Sequence, residues 1–179
     1  MHAHIPPPDR DPTDTQRTLS LSAANGVTTI RGMLGHPGHL VLRERAALGE
    51  IVSPRIVTSG PSFNGNSAPD PETARRMVAE QLEMGYDLLK VHPGLTRAVY
   101  DAMVEAANEA GLTFAGHVPA DVGLDRALEA GQASVDHLDA YVEALAGRGG
   151  GFNPREAGFF GYGLVDEVDR ARIRELART

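Results

Sequence analysis

Short apolar runs and helical patterns take turns along this chain six times, and few folds accept that rhythm. The strand-like runs are residues 1–5, Gly26-Val27-Thr28-Thr29-Ile30-Arg31, residues 54–60, Asp87-Leu88-Leu89-Lys90-Val91-His92, Thr113-Phe114-Ala115-Gly116-His117-Val118 and Ala133-Ser134-Val135-Asp136-His137-Leu138. Between them the spacing predicts helices over 13–25, 39–49, 71–84, 96–110 and 122–130, with Gly26, Gly49, Gly85, Gly111 and Gly131 as stops. Asp70 suits an N-cap, Pro71 the first helical turn, and Thr96 caps the next helix. Residues 146–163 are rich in Gly and Phe without periodicity, and read as a loop or insertion on the active-site side. A last amphipathic helix is expected over 165–178. No linker or sequence repeat interrupts the series, so residues 1–179 are read as one domain, long enough to bury a core.

Alternating strands and helices make an α/β fold, either an open doubly wound sheet or a (β/α)8 TIM-type barrel. Polar residues recur at the C-terminal ends of strands one, four, five and six, where barrel enzymes place their chemistry. No Gly-x-Gly-x-x-Gly turn follows the first strand to mark a dinucleotide crevice. The expected fold is therefore a partial barrel with about six of the eight strand–helix units.

Charge narrows the partners. A net charge of -7 speaks against a nucleic-acid or anionic-membrane surface. There is no cysteine, so neither a disulfide framework nor thiolate chemistry is available. No run approaches the roughly 18 apolar residues of a membrane span, and no signal peptide is visible, so a cytoplasmic protein is expected. The wealth of Ala, Arg and Gly resembles a high-GC bacterial coding bias. A small-molecule substrate is the expected partner, and a homo-oligomer is allowed for.

Lys90 is the only lysine in the chain; every other basic side chain is arginine. Arginine stays protonated, whereas a buried lysine can lose its proton, and only the neutral amine does nucleophilic or carbamate chemistry. The plain alternative is a stray surface lysine. Its company argues otherwise. In His2-Ala3-His4 the histidines are two apart, so on a strand both side chains take the same face and can give one metal two nitrogens. His117 and His137 each end a later strand, and singly each reads as an ordinary core or loop histidine. Together, four histidines and one lysine at strand ends read as a metal site, and imidazoles suit zinc and its neighbours.

These motifs as a set resemble the amidohydrolase superfamily of metal-dependent hydrolases, in the branch of imidazolonepropionase and prolidase-like Xaa-Pro dipeptidases. The resemblance rests on His2-Ala3-His4, Gly26 to Arg31, Pro54-Arg55-Ile56 with Ser59-Gly60-Pro61, Gly85-Tyr86-Asp87 with Lys90, Ala115-Gly116-His117-Val118-Pro119, and Ala130-Gly131 followed by Val135-Asp136-His137-Leu138. It implies a distorted (β/α)8 barrel holding one or two divalent metals, usually zinc. His2 and His4 would bind the first metal, His117 and His137 the second, and Lys90, carboxylated by carbon dioxide, would bridge them. Lys90 and His137 are the catalytic candidates, and the expected activity is hydrolysis of an amide or Xaa-Pro-like peptide bond.

The family also places an aspartate on strand eight and a small β-sandwich domain around the termini. Neither is found here, so a fragment of a longer amidohydrolase is expected, inactive as it stands. A non-catalytic remnant, or a barrel enzyme using Lys90 as a Schiff-base amine, are the competing readings; the latter leaves the histidines unexplained. His36, His39 and His92 match no ligand position: solvated or capping roles are expected, with His92 near the pocket. Tyr86 and Tyr100 read as packing residues.

Overall fold

The computed structural model describes residues 1–145, 170–176 and 178. Its order is β1 (His2–Ala3), α1 (Pro12–Ala24), β2 (Thr29–Gly32), α2 (Pro37–Ala47), β3 (Arg55–Thr58), α3 (Pro71–Met84), β4 (Leu88–Val91), α4 (Arg97–Ala110), β5 (Thr113–Gly116), α5 (Gly123–Glu129), a 3-10 turn (Asp136–Leu138), α6 (Tyr141–Leu145) and α7 (Arg170–Leu176). The helices begin where side chains can take up their free N–H groups. Asp11 accepts from Thr13 and Asp14 at 2.9 and 3.0 Å, and Asp70 accepts from Thr73 at 2.8 Å. Each of these caps precedes a proline in the first turn. The expected helix over 71–84 is found with those ends, closed by Gly85 at φ 79°. Only part of the helix expected over 165–178 is described, and the loop expected over 146–163 lies outside the described residues.

Every strand pairing is parallel. β1 pairs β2 and β2 pairs β3, while β4 pairs β5. Bridges from Ser59 to Leu88 and from Phe63 to Val91 carry the sheet across from β3 to β4. Neighbours in space are thus neighbours in sequence, and among the described residues no strand crosses back as a doubly wound sheet requires. The sixth expected strand is a correction. It shrinks to residues 133–135, tied to β5 by Ala133 N–H to Phe114 and by Gly116 N–H to the Ser134 carbonyl. Beyond Val135 the chain leaves the sheet, because His137 takes a left-handed backbone at φ 57°.

The faces of this sheet differ. Ile30 and Ile56 pack with Leu19 and Leu42 of α1 and α2, and Leu89, Val91 and Phe114 pack with residues of α3 and α4. Met33, Val57, Leu88 and Ala115 form a separate cluster with no helical member. Strand side chains alternate between faces, so the helices cover one face and the other turns inward, as in a TIM-like α/β fold. This partial fold is not a closed barrel among the described residues. No helix of the described residues is long and apolar enough to cross a membrane.

The tyrosines pack as expected. Tyr100 is fully buried, with its hydroxyl 2.9 Å from Gln132 Oε1, and Tyr86 is buried as well. His36 is a capping residue, its Nδ1 accepting from Gly38 N–H at 3.1 Å at the start of α2. His39 corrects the expectation of a solvated or capping role. It is wholly buried against the Ile5–Pro6 backbone, and neither ring nitrogen completes a hydrogen bond. Burial holds its pKa below the ordinary 6.5, outweighing the Pro6 carbonyl.

In the unfolded chain His39 protonates near its ordinary value, so there the unfolded state binds more protons than the folded one. Stability should be full above about pH 6.5 and fall as the pH drops towards the depressed folded value. Urea midpoints measured from pH 7.5 to 5 should decline, and His39→Leu should decline less. Equal slopes for the two proteins would remove His39 from this effect.

Candidate metal centre

The alternation that separates the sheet's faces also assembles the site. Lys90 shares a face with Leu88 and, by register, with Ala115. Arg31 pairs with Val57 on the same inner face, and His2 pairs with Arg31. Two residues on from His2, Lys90 and Ala115 come His4, His92 and His117, which keep that parity. A period of two therefore delivers an amine, a guanidinium and a row of imidazoles to the C-terminal ends of one parallel sheet.

The rings meet there as the parity requires. His2 and His4 lie with centroids 5.1 Å apart and their Nε2 atoms 3.1 Å apart. His137 stands between the two ends of the sheet, 5.5 Å from His2 and 5.4 Å from His117. His92 stacks on His117 at 5.0 Å and 27°. Its pKa is pushed down to about 4 by burial and then by the nearness of Lys90 and the His117 and His4 rings, so His92 is neutral at pH 7. The chain from Asp136 reaches this position through a backbone few residues accept: His137, Leu138 and Ala140 all have positive φ without being glycine. Such strain collects at functional sites, where surrounding contacts over-determine it.

Lys90 is wholly buried, which removes the stray surface reading. Its Nζ donates to Asp136 Oδ2, and the other oxygen of Asp136 lies 3.4 Å from His2 Nδ1 and 3.8 Å from Arg31. Burial alone would raise the Asp136 pKa, yet Lys90 and His2 carry it below the ordinary carboxylate value. His117 Nδ1 donates to Asp139 Oδ2 at 2.6 Å, which leaves Nε2 as its open nitrogen. Sequence reasoning gave roles to neither aspartate nor to Arg31. Asp136 stood inside the Val135-Asp136-His137-Leu138 motif, and the 3-10 turn just past the Val135 bridge brings it to Lys90.

Imidazoles and carboxylates are donors a divalent ion accepts, and they stand at one end of the sheet, so in kind and place they fit a metal. Among the described residues no three such groups are already gathered as a ligand set. In the geometry present, Lys90 is spoken for by Asp136. The cavity of about 340 Å³ walled by Asn108, Leu112, Phe114 and Ala133 lies at the opposite end of β5 and holds no ionisable side chain.

No protein-family profile and no curated protein matches the chain. Solved structures do. A bottromycin amidohydrolase is 29% identical at a TM-score of 0.64, covering 71% of this chain and 30% of its own. A Xaa-Pro dipeptidase with bound methionine is 21% identical at 0.59, covering 73% of this chain and 45% of that one. A prolidase complexed with N-methylphosphonate-L-proline is 15% identical at 0.62, covering 99% and 58%. The chain has the fold of these amidohydrolases and is similar to them. The chain spans roughly a third to three fifths of the length of these structures. Their fold accounts for the strand order and for helices on one face only.

Proposed function

We propose that this chain is the metal-binding portion of a hydrolase that cleaves amide bonds, Xaa-Pro dipeptide bonds among them, in the prolidase- and imidazolonepropionase-like branch. The six parallel segments are read as six of the eight units of its (β/α)8 barrel. The observation that supports this most is the convergence of His2, His4, Lys90, His117 and His137 at the C-terminal ends of β1, β4 and β5 and just beyond the Val135 bridge. One similar structure is named a Xaa-Pro dipeptidase and another a prolidase complexed with N-methylphosphonate-L-proline, which favours that substrate class.

His2 and His4 would hold one ion and His117 and His137 a second, with Lys90, once carboxylated, between them. A divalent metal there would supply an activated water and polarise the scissile carbonyl. The chain's own side chains do the rest. Asp139 fixes the His117 ring, and neutral His92 stacks beside it as an uncharged wall. Lys90 and Leu88 close the floor beneath the histidines, keeping water to the open side.

The full-length gene product should hydrolyse members of a panel of Xaa-Pro dipeptides and N-acyl amino acids, and lose that turnover to a chelator. Turnover indifferent to chelators would contradict the metal-dependent reading. His117→Ala and His137→Ala should each lower bound zinc several-fold, measured by elemental analysis. His137 is exposed and His117 half-buried, so thermal midpoints should hold within a few degrees. Unchanged zinc in both would leave them as ordinary pocket histidines.

A further inference from the structure

Among the described residues, Asp136 is the carboxylate that touches two members of the candidate centre at once. One oxygen takes the Lys90 ammonium, and the other faces His2 Nδ1 at 3.4 Å, with Arg31 beyond it at 3.8 Å. The residue is 5% exposed, so its charge is held by these neighbours rather than by water. It enters from the segment after β5, and its contacts join β1, β2 and β4 across the inner face. The direction of each contact matters. His2 turns Nδ1 towards Asp136 and Nε2 towards His4 Nε2, 3.1 Å away. An imidazole whose Nδ1–H leans on a carboxylate keeps its Nε2 lone pair for a metal and gains basicity there.

We infer that Asp136 is a positioning residue of the metal centre, holding His2 in its Nδ1–H tautomer; its pairing with the Lys90 ammonium belongs to the uncarboxylated chain. This rests on the metal-centre reading above. A purely structural ion pair would account for Lys90 and Arg31 but asks nothing of the His2 ring. The tautomer therefore separates a positioning role from a structural one.

The test uses the 179-residue protein with cobalt(II) alone as the probe, read by its visible absorption. Wild type should bind cobalt, Asp136→Asn should bind it at least about tenfold more weakly, and Asp136→Glu should recover part of the loss. Ring-nitrogen NMR of the metal-free wild type should show His2 protonated at Nδ1. Cobalt affinity in Asp136→Asn equal to wild type would overturn the inference. So would a wild-type His2 protonated at Nε2, a result that decides the matter even where Asp136→Asn does not fold. If wild type takes up no cobalt, the metal-centre reading itself fails, and this inference with it.

Discussion

Lys90→Ala is expected to strip most divalent metal from the protein and to weaken its fold by about 3–5 kcal/mol, because it leaves the Asp136 charge buried without its main partner. Arg31, at 3.8 Å, and His2 compensate in part, which favours the lower end of that range. The two effects can be separated. Replacing both partners with apolar residues, Lys90→Met with Asp136→Leu, should restore stability in urea while metal stays lost, since a buried pair exchanged for packed apolar groups costs little. Elemental analysis giving equal zinc in Lys90→Ala and wild type would remove Lys90 from the centre. An unchanged urea midpoint would show that the Lys90–Asp136 pair is not a buried one.

Gly116→Ala should be among the most damaging single changes in the chain. Gly116 sits at φ 134° at the end of β5, and an added Cβ would overlap the Val91 carbonyl and stand 3.0 Å from Lys90 Cδ. That carbonyl cannot easily retreat, because it accepts the His117 N–H at 3.0 Å. Backbone strain alone costs about 1–3 kcal/mol, and the clash with a neighbouring strand adds to it. We expect a loss above about 3 kcal/mol, with Lys90 and His117 displaced together. Gly26→Ala is the milder comparison: its φ of 79° lies close to the left-handed region that other residues visit, and a Cβ there meets nothing within 4 Å. Its loss should be smaller, from strain alone. Equal denaturation midpoints for the two variants would contradict the close approach of β4 and β5.

What could be read ahead of the structure was local or periodic. The helix over 71–84 was legible because Asp70, Pro71 and Gly85 each act within one turn of its ends. The common face of His2 and His4 was legible because strands alternate. His36, with a backbone N–H two residues on, makes a cap that a short-range rule anticipates. The misses are contacts between distant parts of the chain. His39 is buried by the Ile5–Pro6 loop, more than thirty positions away, and nothing near it in sequence announces that. Asp136 meets Lys90 across 46 residues, a pairing that spacing alone does not reveal. The end of the sixth strand was missed because His137, Leu138 and Ala140 adopt positive φ without glycine, held there by tertiary contacts.

The central claim is that the strand-end histidines and Lys90 make a divalent-metal centre, and the most direct measurement is the zinc content of the purified 179-residue protein. Protein reconstituted with zinc and bicarbonate, then freed of loose ions by gel filtration, should retain about one or two zinc ions per chain. A chelator should remove them, and zinc with bicarbonate should restore them. Protein that emerges from reconstitution folded but carrying only traces of zinc, with or without bicarbonate, would contradict the account.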